Sequence, residues 1–425
     1  MKRDLLTLFS LLVVLGVSTP SRAQDPNKAD PNNKQDPKGF KPNVAVDQAS
    51  VDKAIEKGLT FLKTSDSPKH HVGDSDELKL LTFLEGGTPA SDPVVQGLLT
   101  KCAETPLEKT YKVALLAMCL ESVDRVKYQQ KIAQCGQFLL DNVKPNGGFD
   151  YGEPTAFVND VGYKMPPKDV ASAGGKAKPV DVSDSKEKPK VVNKIRLTKK
   201  KDGPAERSDN SNSQYAALGM RACFDAGIVF PKEVVEKCKQ YWIANQHPGE
   251  KGEAKGKPSV ASGSGGIPVG DPRGWCYSDG QGSDCGHGGN AYSSMTAGAI
   301  GAVCIYDYIL GKDWKKEKVA LDGLAWLDKN WSVKENLGPP ETSKGDPRGW
   351  LYYYLYAIER TGMLYDTALI GNHDWYLDGA RELLGAQLAD GSWDASSYKH
   401  PTWDTCFAIL FLKRATKRLV ASTGK

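Results

Sequence analysis

From Gln48 onward, apolar and polar positions follow the period of an α-helix almost throughout the chain. One register recurs: a small residue, large apolar residues at +3 and +4, and a polar residue at +7. The copies are Gly58/Phe61/Leu62/Ser65, Cys135/Phe138/Leu139/Asn142, Cys238/Tyr241/Trp242/Asn245, Gly323/Trp326/Leu327/Asn330 and Ala380/Leu383/Leu384/Gln387. Val95/Leu98/Leu99/Cys102 is a weaker sixth copy, with Asp92 as N-cap and Pro93 in the first turn. This spacing lies on one stripe of a helix, and Asn or Gln at +7 suits a helix terminus. After each copy comes a stretch that is apolar nearly all round, at 77–84, 110–120, 213–226, 292–310, 350–360 and 403–414. Such stretches must be buried, whereas the striped helices keep a polar side for solvent. Six exposed helices alternating with six buried ones predict an all-α fold of two layers, and six pairs can close into a ring with no end to cap.

Residues 383–412 are the clearest single unit. A striped helix ends at Gln387, an Asp390-Gly391-Ser392-Trp393 turn follows, and an apolar helix opens near Trp403. A hexapeptide occurs twice without change, Gly270-Asp271-Pro272-Arg273-Gly274-Trp275 and Gly345-Asp346-Pro347-Arg348-Gly349-Trp350. Gly148-Phe149 repeats its last step in looser form. These turns read as plugs, with an aromatic filling the gap between neighbouring helix pairs.

Two long insertions interrupt the pattern. Residues 153–209 are charged and Lys-rich, and residues 247–290 are Gly-rich. Each falls between a striped helix and an apolar one, so both should emerge on the same face.

Residues 1–23 read as a secretory signal, with Lys2 and Arg3 before an apolar run from Leu5 to Val17 and a small-residue cleavage site. Residues 24–46, rich in Pro, Asn and Lys, read as a disordered linker. The repeat domain then spans 47–418 and a short tail 419–425. The resulting expectation is a secreted or periplasmic protein with no integral membrane segment once the signal is removed. A formal net charge of +4, from 56 basic against 52 acidic side chains, argues for no nucleic acid partner. Seven of nine cysteines (Cys102, Cys119, Cys135, Cys223, Cys238, Cys304 and Cys406) sit at apolar helix positions and read as core. Cys276 and Cys285, in the Gly-rich insertion, are the reactive pair.

The repeats resemble those of the squalene cyclase and protein prenyltransferase superfamily, the α/α toroids. In that family a helix with Gly-x-x-(Phe/Trp)-Leu ends near a Gln, and a Gly-x-Trp turn leads to the next helix. Gly323-x-x-Trp326-Leu327 and Leu384…Gln387…Gly391-x-Trp393 match. The similarity covers roughly 47–418 without the insertions, and is greatest to secreted bacterial members described as prenyltransferase or squalene-oxidase repeat proteins. It implies an α/α toroid of about six helix pairs with two long loop insertions, and it is weak evidence for any activity.

The superfamily's chemistry is incomplete here. The cyclases' Asp-x-Asp-Asp-Thr-Ala segment corresponds to Pro401-Thr402-Trp403-Asp404-Thr405-Cys406, which puts Trp403 where the catalytic acid belongs and leaves Asp404 as the catalytic candidate. The prenyltransferases' zinc site needs an Asp-x-Cys pair and a distant His. Asp404-x-Cys406 supplies the pair, and no histidine follows it. A second candidate zinc set is Asp284, Cys285 and His287, with Cys276 nearby; a Cys276–Cys285 disulfide competes with it. No nucleophile elbow, phosphate loop or dinucleotide fingerprint occurs.

Aromatic residues remain. Trp275, Tyr292, Trp350, Tyr353, Tyr354 and Trp403 are the candidates to line a central cavity, where aromatic faces suit an isoprenoid-like hydrophobic molecule or a glycan. Three functions stay open on these residues: binding of such a ligand or of an envelope protein, a divergent zinc-dependent or acid-using isoprenoid enzyme, and polysaccharide processing. The last would need carboxylates converging from Asp150, Asp346 and Asp404.

Overall fold

The computed structural model describes residues 46–66, 75–161, 190–205, 207–248, 270–279, 290–337, 348–394 and 400–419. These belong to one compact unit, Lys41–Lys425. The signal and linker expected at 1–46 lie outside the described residues apart from Val46. So do Asp284, Cys285, His287 and Asp346.

Among the described residues are twelve α-helices: α1 (Gln48–Thr64), α2 (Asp76–Gly86), α3 (Pro93–Glu104), α4 (Thr110–Asp124), α5 (Gln129–Asp141), α6 (Asn210–Asp225), α7 (Lys232–Ala244), α8 (Ser293–Leu310), α9 (Lys318–Lys329), α10 (Leu351–Tyr365), α11 (Trp375–Ala386) and α12 (Pro401–Lys413). The even-numbered helices form the inner layer. Each packs on the next, α2 on α4 and onward to α10 on α12, and α12 packs back on α2. The odd-numbered helices lie outside them, α1 reaching α2, α11 and α12. This is an α/α toroid of six helix pairs, as the helical pattern predicts. Two short strand pairs decorate it: Ile195–Arg196 runs parallel to Ile228–Val229, and Leu369–Ile370 antiparallel to His373–Asp374.

Burial all round explains why the inner helices read as continuous apolar runs. In α8 every residue from Ser293 to Asp307 is buried. This helix is long and apolar enough to cross a membrane, yet in the structure its surroundings are the ring's own helices. Small residues bring the helices close: a Cβ on Gly219 of α6 would lie 2.7 Å from the Ala114 Cα of α4.

The polar residue at +7 ends the outer helices. Asn142, Asn245, Asn330 and Gln387 are the C-caps of α5, α7, α9 and α11. The three asparagines fold back to donate to the carbonyls of Phe138, Tyr241 and Trp326, at 2.9, 2.7 and 2.9 Å. The turns that follow are built alike. The backbone N–H of Trp393 donates to Thr405 Oγ1 at 3.0 Å, that of Trp275 to Thr296 Oγ1 at 3.1 Å, and that of Phe149 to Ser213 Oγ at 3.0 Å. Each hydroxyl stands in the first turns of the inner helix it belongs to. The indole N–H groups of Trp393 and Trp275 donate to the carbonyls of Leu383 and Trp242, both at 2.8 Å.

The recurring glycine is required by the same arrangement. A Cβ on Gly323 would meet Trp275 and Ile300 at 2.9 and 2.8 Å, and one on Gly58 would meet Trp393 and Ile409, both at 2.9 Å. Gly58 belongs to the first pair and Trp393 to the last, so the ring closes through the contact used inside it.

The seven helical cysteines are buried and outside any disulfide, and Cys276 is disulfide-bonded.

Candidate functional site

All six inner helices point their N-terminal ends at one mouth of the ring, and the described flanks of both insertions meet there. The backbone N–H of Asp209 donates to the Phe149 carbonyl at 2.7 Å, that of Asn210 to the Tyr277 carbonyl at 2.8 Å, and that of Ser208 to Asp279 Oδ1 at 2.9 Å. These bonds tie the segment entering α6 to the one that precedes α8.

Across this mouth runs a continuous arc of aromatic rings. His400 sits 4.6 Å from Trp403, and Trp403 stacks on Trp350 at 5.9 Å with planes 21° apart. Trp350 meets Tyr353 at 6.2 Å, Tyr353 stacks on Tyr215 at 6.2 Å, and Tyr215 meets Tyr111 at 4.6 Å. Phe407, one turn below Trp403 on α12, closes edge-on against Tyr353 at 5.6 Å. The arc draws on α4, α6, α10 and α12. His400, Trp350, Tyr111 and Tyr277 are partly exposed, while Tyr292, Tyr353 and Trp403 are nearly covered. The Trp403 indole is fixed by its hydrogen bond to Ser75 Oγ at the start of α2.

Trp350 is held in the left-handed backbone region, φ 61° and ψ 28°, as the N-cap of α10. A bulky side chain there costs on the order of 1–2 kcal/mol. Its ring lies against Trp403.

Asp209, close to Asp279 at this mouth, caps α6. Its Oδ1 accepts from the backbone N–H of Ser211 at 2.7 Å, that of Asn212 at 3.1 Å, and Ser211 Oγ at 2.5 Å; its Oδ2 accepts from the Tyr277 hydroxyl at 2.8 Å and Asn212 Nδ2 at 3.2 Å. Five donors surround this carboxylate, so its oxygens are committed to hydrogen bonds. Burial, and after it the Asp209 charge, pushes the Tyr277 phenol far up; burial, Tyr353 and Asp209 do the same to Tyr111 and Tyr292. These hydroxyls stay protonated across physiological pH. They can donate hydrogen bonds but cannot act as bases.

Of the aromatics singled out in the sequence, the structure brings Tyr292, Trp350, Tyr353 and Trp403 to the mouth. Trp275 lies elsewhere, fully buried as the plug between α7 and α9, and Tyr354 is fully buried beside Ser293 of α8. Identical hexapeptides thus end in different places, because α10 starts directly at Leu351 whereas a long segment separates Trp275 from Ser293. Asp404 is not the N-cap of α12, a place taken by His400. It lies about 100° round the helix from Trp403, buried, with its charge felt by Tyr352 and Cys406. Asp150 is paired with Lys144 at 2.8 Å in the Gly147-Gly148 turn. The Cys406 thiol is pushed up to about 12 by burial and faces Thr82 of α2. Among the described residues no three His, Cys, Asp or Glu side chains are grouped to hold a metal ion.

Tyr111, Tyr215, Tyr277, Asp209 and His400 are members of the site that the sequence reading did not select. A usable signal was there: Tyr111, Tyr215 and Tyr353 all stand in the first two turns of an inner helix.

No family model matches the sequence, and no curated protein matches it. Among solved structures, a crystal structure of an unsaturated glucuronyl hydrolase specific for heparin is similar over 87% of this chain and 97% of that chain, at a TM-score of 0.45 and 9% sequence identity. The closed succession of inner-helix contacts establishes the described residues as a mainly helical α/α toroid.

Proposed function

We propose that this is an exported binding protein that holds a glycan across the N-terminal mouth of its toroid. The observation that carries the reading is the arc His400–Trp403–Trp350–Tyr353–Tyr215–Tyr111, studded with protonated phenols. Sugar rings present C–H faces that stack on aromatic planes and hydroxyls that pair with phenols. An isoprenoid would use the ring faces alone and offer nothing to the hydroxyl groups along the arc. The backbone strain accepted at Trp350 fits a ring that must be presented rather than merely packed. Export rests on the signal-like residues 1–23. The repeat motif supports kinship with the squalene cyclase and prenyltransferase superfamily, but Trp403 replaces the cyclase acid and the Asp209 carboxylate is committed to hydrogen bonds. Binding, rather than catalysis, is what these groups suit.

Retention on a panel of immobilised polysaccharides, followed by calorimetry with oligosaccharides of the retained one, tests this. Trp403→Ala and Trp350→Ala should each weaken affinity tenfold or more with the circular dichroism spectrum unchanged. Retention that survives both substitutions would overturn the site. Co-purification of a stoichiometric lipid with no polysaccharide retained would overturn the ligand class.

A further inference from the structure

Beneath the aromatic mouth, the interior of the ring contains a fully buried cation. Arg360 of α10 is 2% exposed. Its long side chain leans back toward the start of its helix, as helical side chains do, and its Nη2 donates to Gln214 Oε1 of α6 at 2.7 Å. Between α6 and α10 stands α8, and Gly298 makes the room: a Cβ there would lie 2.2 Å from Gln214 Oε1. The guanidinium rests on the rings of Tyr356, Tyr215 and Tyr353, at 4.3, 5.2 and 6.0 Å.

Its charge is not neutralised. Arginine stays protonated at any accessible pH, and among the described residues no carboxylate forms an ion pair with it. The adjacent Glu359 is turned to Thr416, accepting from its backbone N–H at 2.9 Å and its hydroxyl at 2.7 Å. Burial also raises the Glu359 carboxyl to about 8. Two buried donors beside the Arg360–Gln214 hydrogen bond have no partner among the described residues: Arg360 Nη1 and Gln214 Nε2. The Tyr215 hydroxyl interacts with the guanidinium and the tyrosine faces attract the cation, yet Nη1 and Nε2 remain without an acceptor among the described residues. An unpaired buried charge is among the costliest features a fold can carry, and two orphaned donors beside it call for an acceptor with negative charge.

We infer that Arg360 and Gln214 form the seat of a small monovalent anion, a halide or a carboxylate, inside the ring. Nη1 and Nε2 supply the hydrogen bonds, beside the three tyrosine rings that pack on the guanidinium. The inference does not depend on the glycan reading, since a free ion satisfies it.

Crystals of the full chain soaked in sodium bromide should show an anomalous peak at hydrogen-bond distance from Nη1. In solution at constant ionic strength, the wild-type Tm should rise with the logarithm of bromide or acetate concentration relative to methanesulfonate, the bulkier reference anion. The larger of the two rises tells a halide seat from a carboxylate one. Gln214→Leu should reduce the dependence and Arg360→Met should abolish it, leaving only the general salt response. An ordered water alone at Nη1 in the soaked crystal, with wild-type Tm values equal in all three salts, would overturn the inference. The wild-type measurements decide the matter even if neither variant folds.

Discussion

Single side chains carry the consequences of being walled in by helices. Glu359 sits in α10 with no exposed surface, and its ordinary value of 4.5 is raised to about 8, first by burial and against the pull of its bonds to Thr416. Between those two values the folded chain holds a proton that the unfolded chain has released. The stability linked to this group is therefore complete below about pH 4.5, falls as pH rises, and levels off above about 8. At ~1.36 kcal/mol per pKa unit the total loss is on the order of 5 kcal/mol. Glu359→Gln keeps the shape and can still bond Thr416, so urea midpoints for this variant should vary little between pH 5 and 9 and exceed the wild type's at pH 9. Parallel pH curves for the two proteins would show that Glu359 does not titrate as described. The same scale marks a limit of sequence reading. Trp275 and Trp350 end identical hexapeptides, and only the chain that follows decides which is a plug and which stands at the mouth.

At the scale of the helix, one interface is made repeatedly. The side-chain amide of Gln387 bridges the Gly391 carbonyl of its own turn, at 3.0 Å, and the Ala54 carbonyl of α1, at 2.8 Å. Gln246 does the same between Arg273, at 3.1 Å, and Val319 of α9, at 2.9 Å. With Gly58 and Gly323 under the turn tryptophans, these make two equivalent joints. Gly58→Ala and Gly323→Ala should each destabilise by about 1–3 kcal/mol, because the added methyl overlaps Trp393 or Trp275. Gly97 in α3 has open space around it, so Gly97→Ala should instead stabilise slightly, by about 0.5–1 kcal/mol. Denaturant midpoints of the three variants check both signs. The helices and their pairing were legible because the 0, +3, +4, +7 register and the apolar runs are direct imprints of half and full burial. The face each inner helix turns to the ring's interior was not. A helix buried all round loses the stripe that would reveal it, which hid Tyr111, Tyr215 and Arg360 among core-like residues.

Taken whole, the ring explains how α8 can carry a membrane-grade sequence without a membrane: its neighbours α6, α7, α9 and α10 supply the apolar surroundings. The two mouths differ. The N-terminal one presents the aromatic arc, whereas over the other the tail at Ala415–Lys417 lines a recess with Leu81, Met118, Leu218 and Tyr356. That tail is held by Glu359 and by Arg221, whose Nη2 donates to the Arg418 carbonyl at 3.1 Å. Closure through Gly58, Trp393 and Gln387 has a further consequence for how the molecule comes apart. Linear repeat arrays fray from their terminal units, which have one neighbour instead of two. Here the first and last pairs are neighbours of each other, so no pair is terminal. Amide hydrogen exchange should therefore show α2 and α12 as slow as α6 and α8, all opening in one global event. Cutting the Gln387–Ala54 tether with Gln387→Ala should give the molecule ends again, with exchange quickening first in α1 and α12. A wild type that already exchanges fastest at those two helices would mean that the joint does not hold in solution.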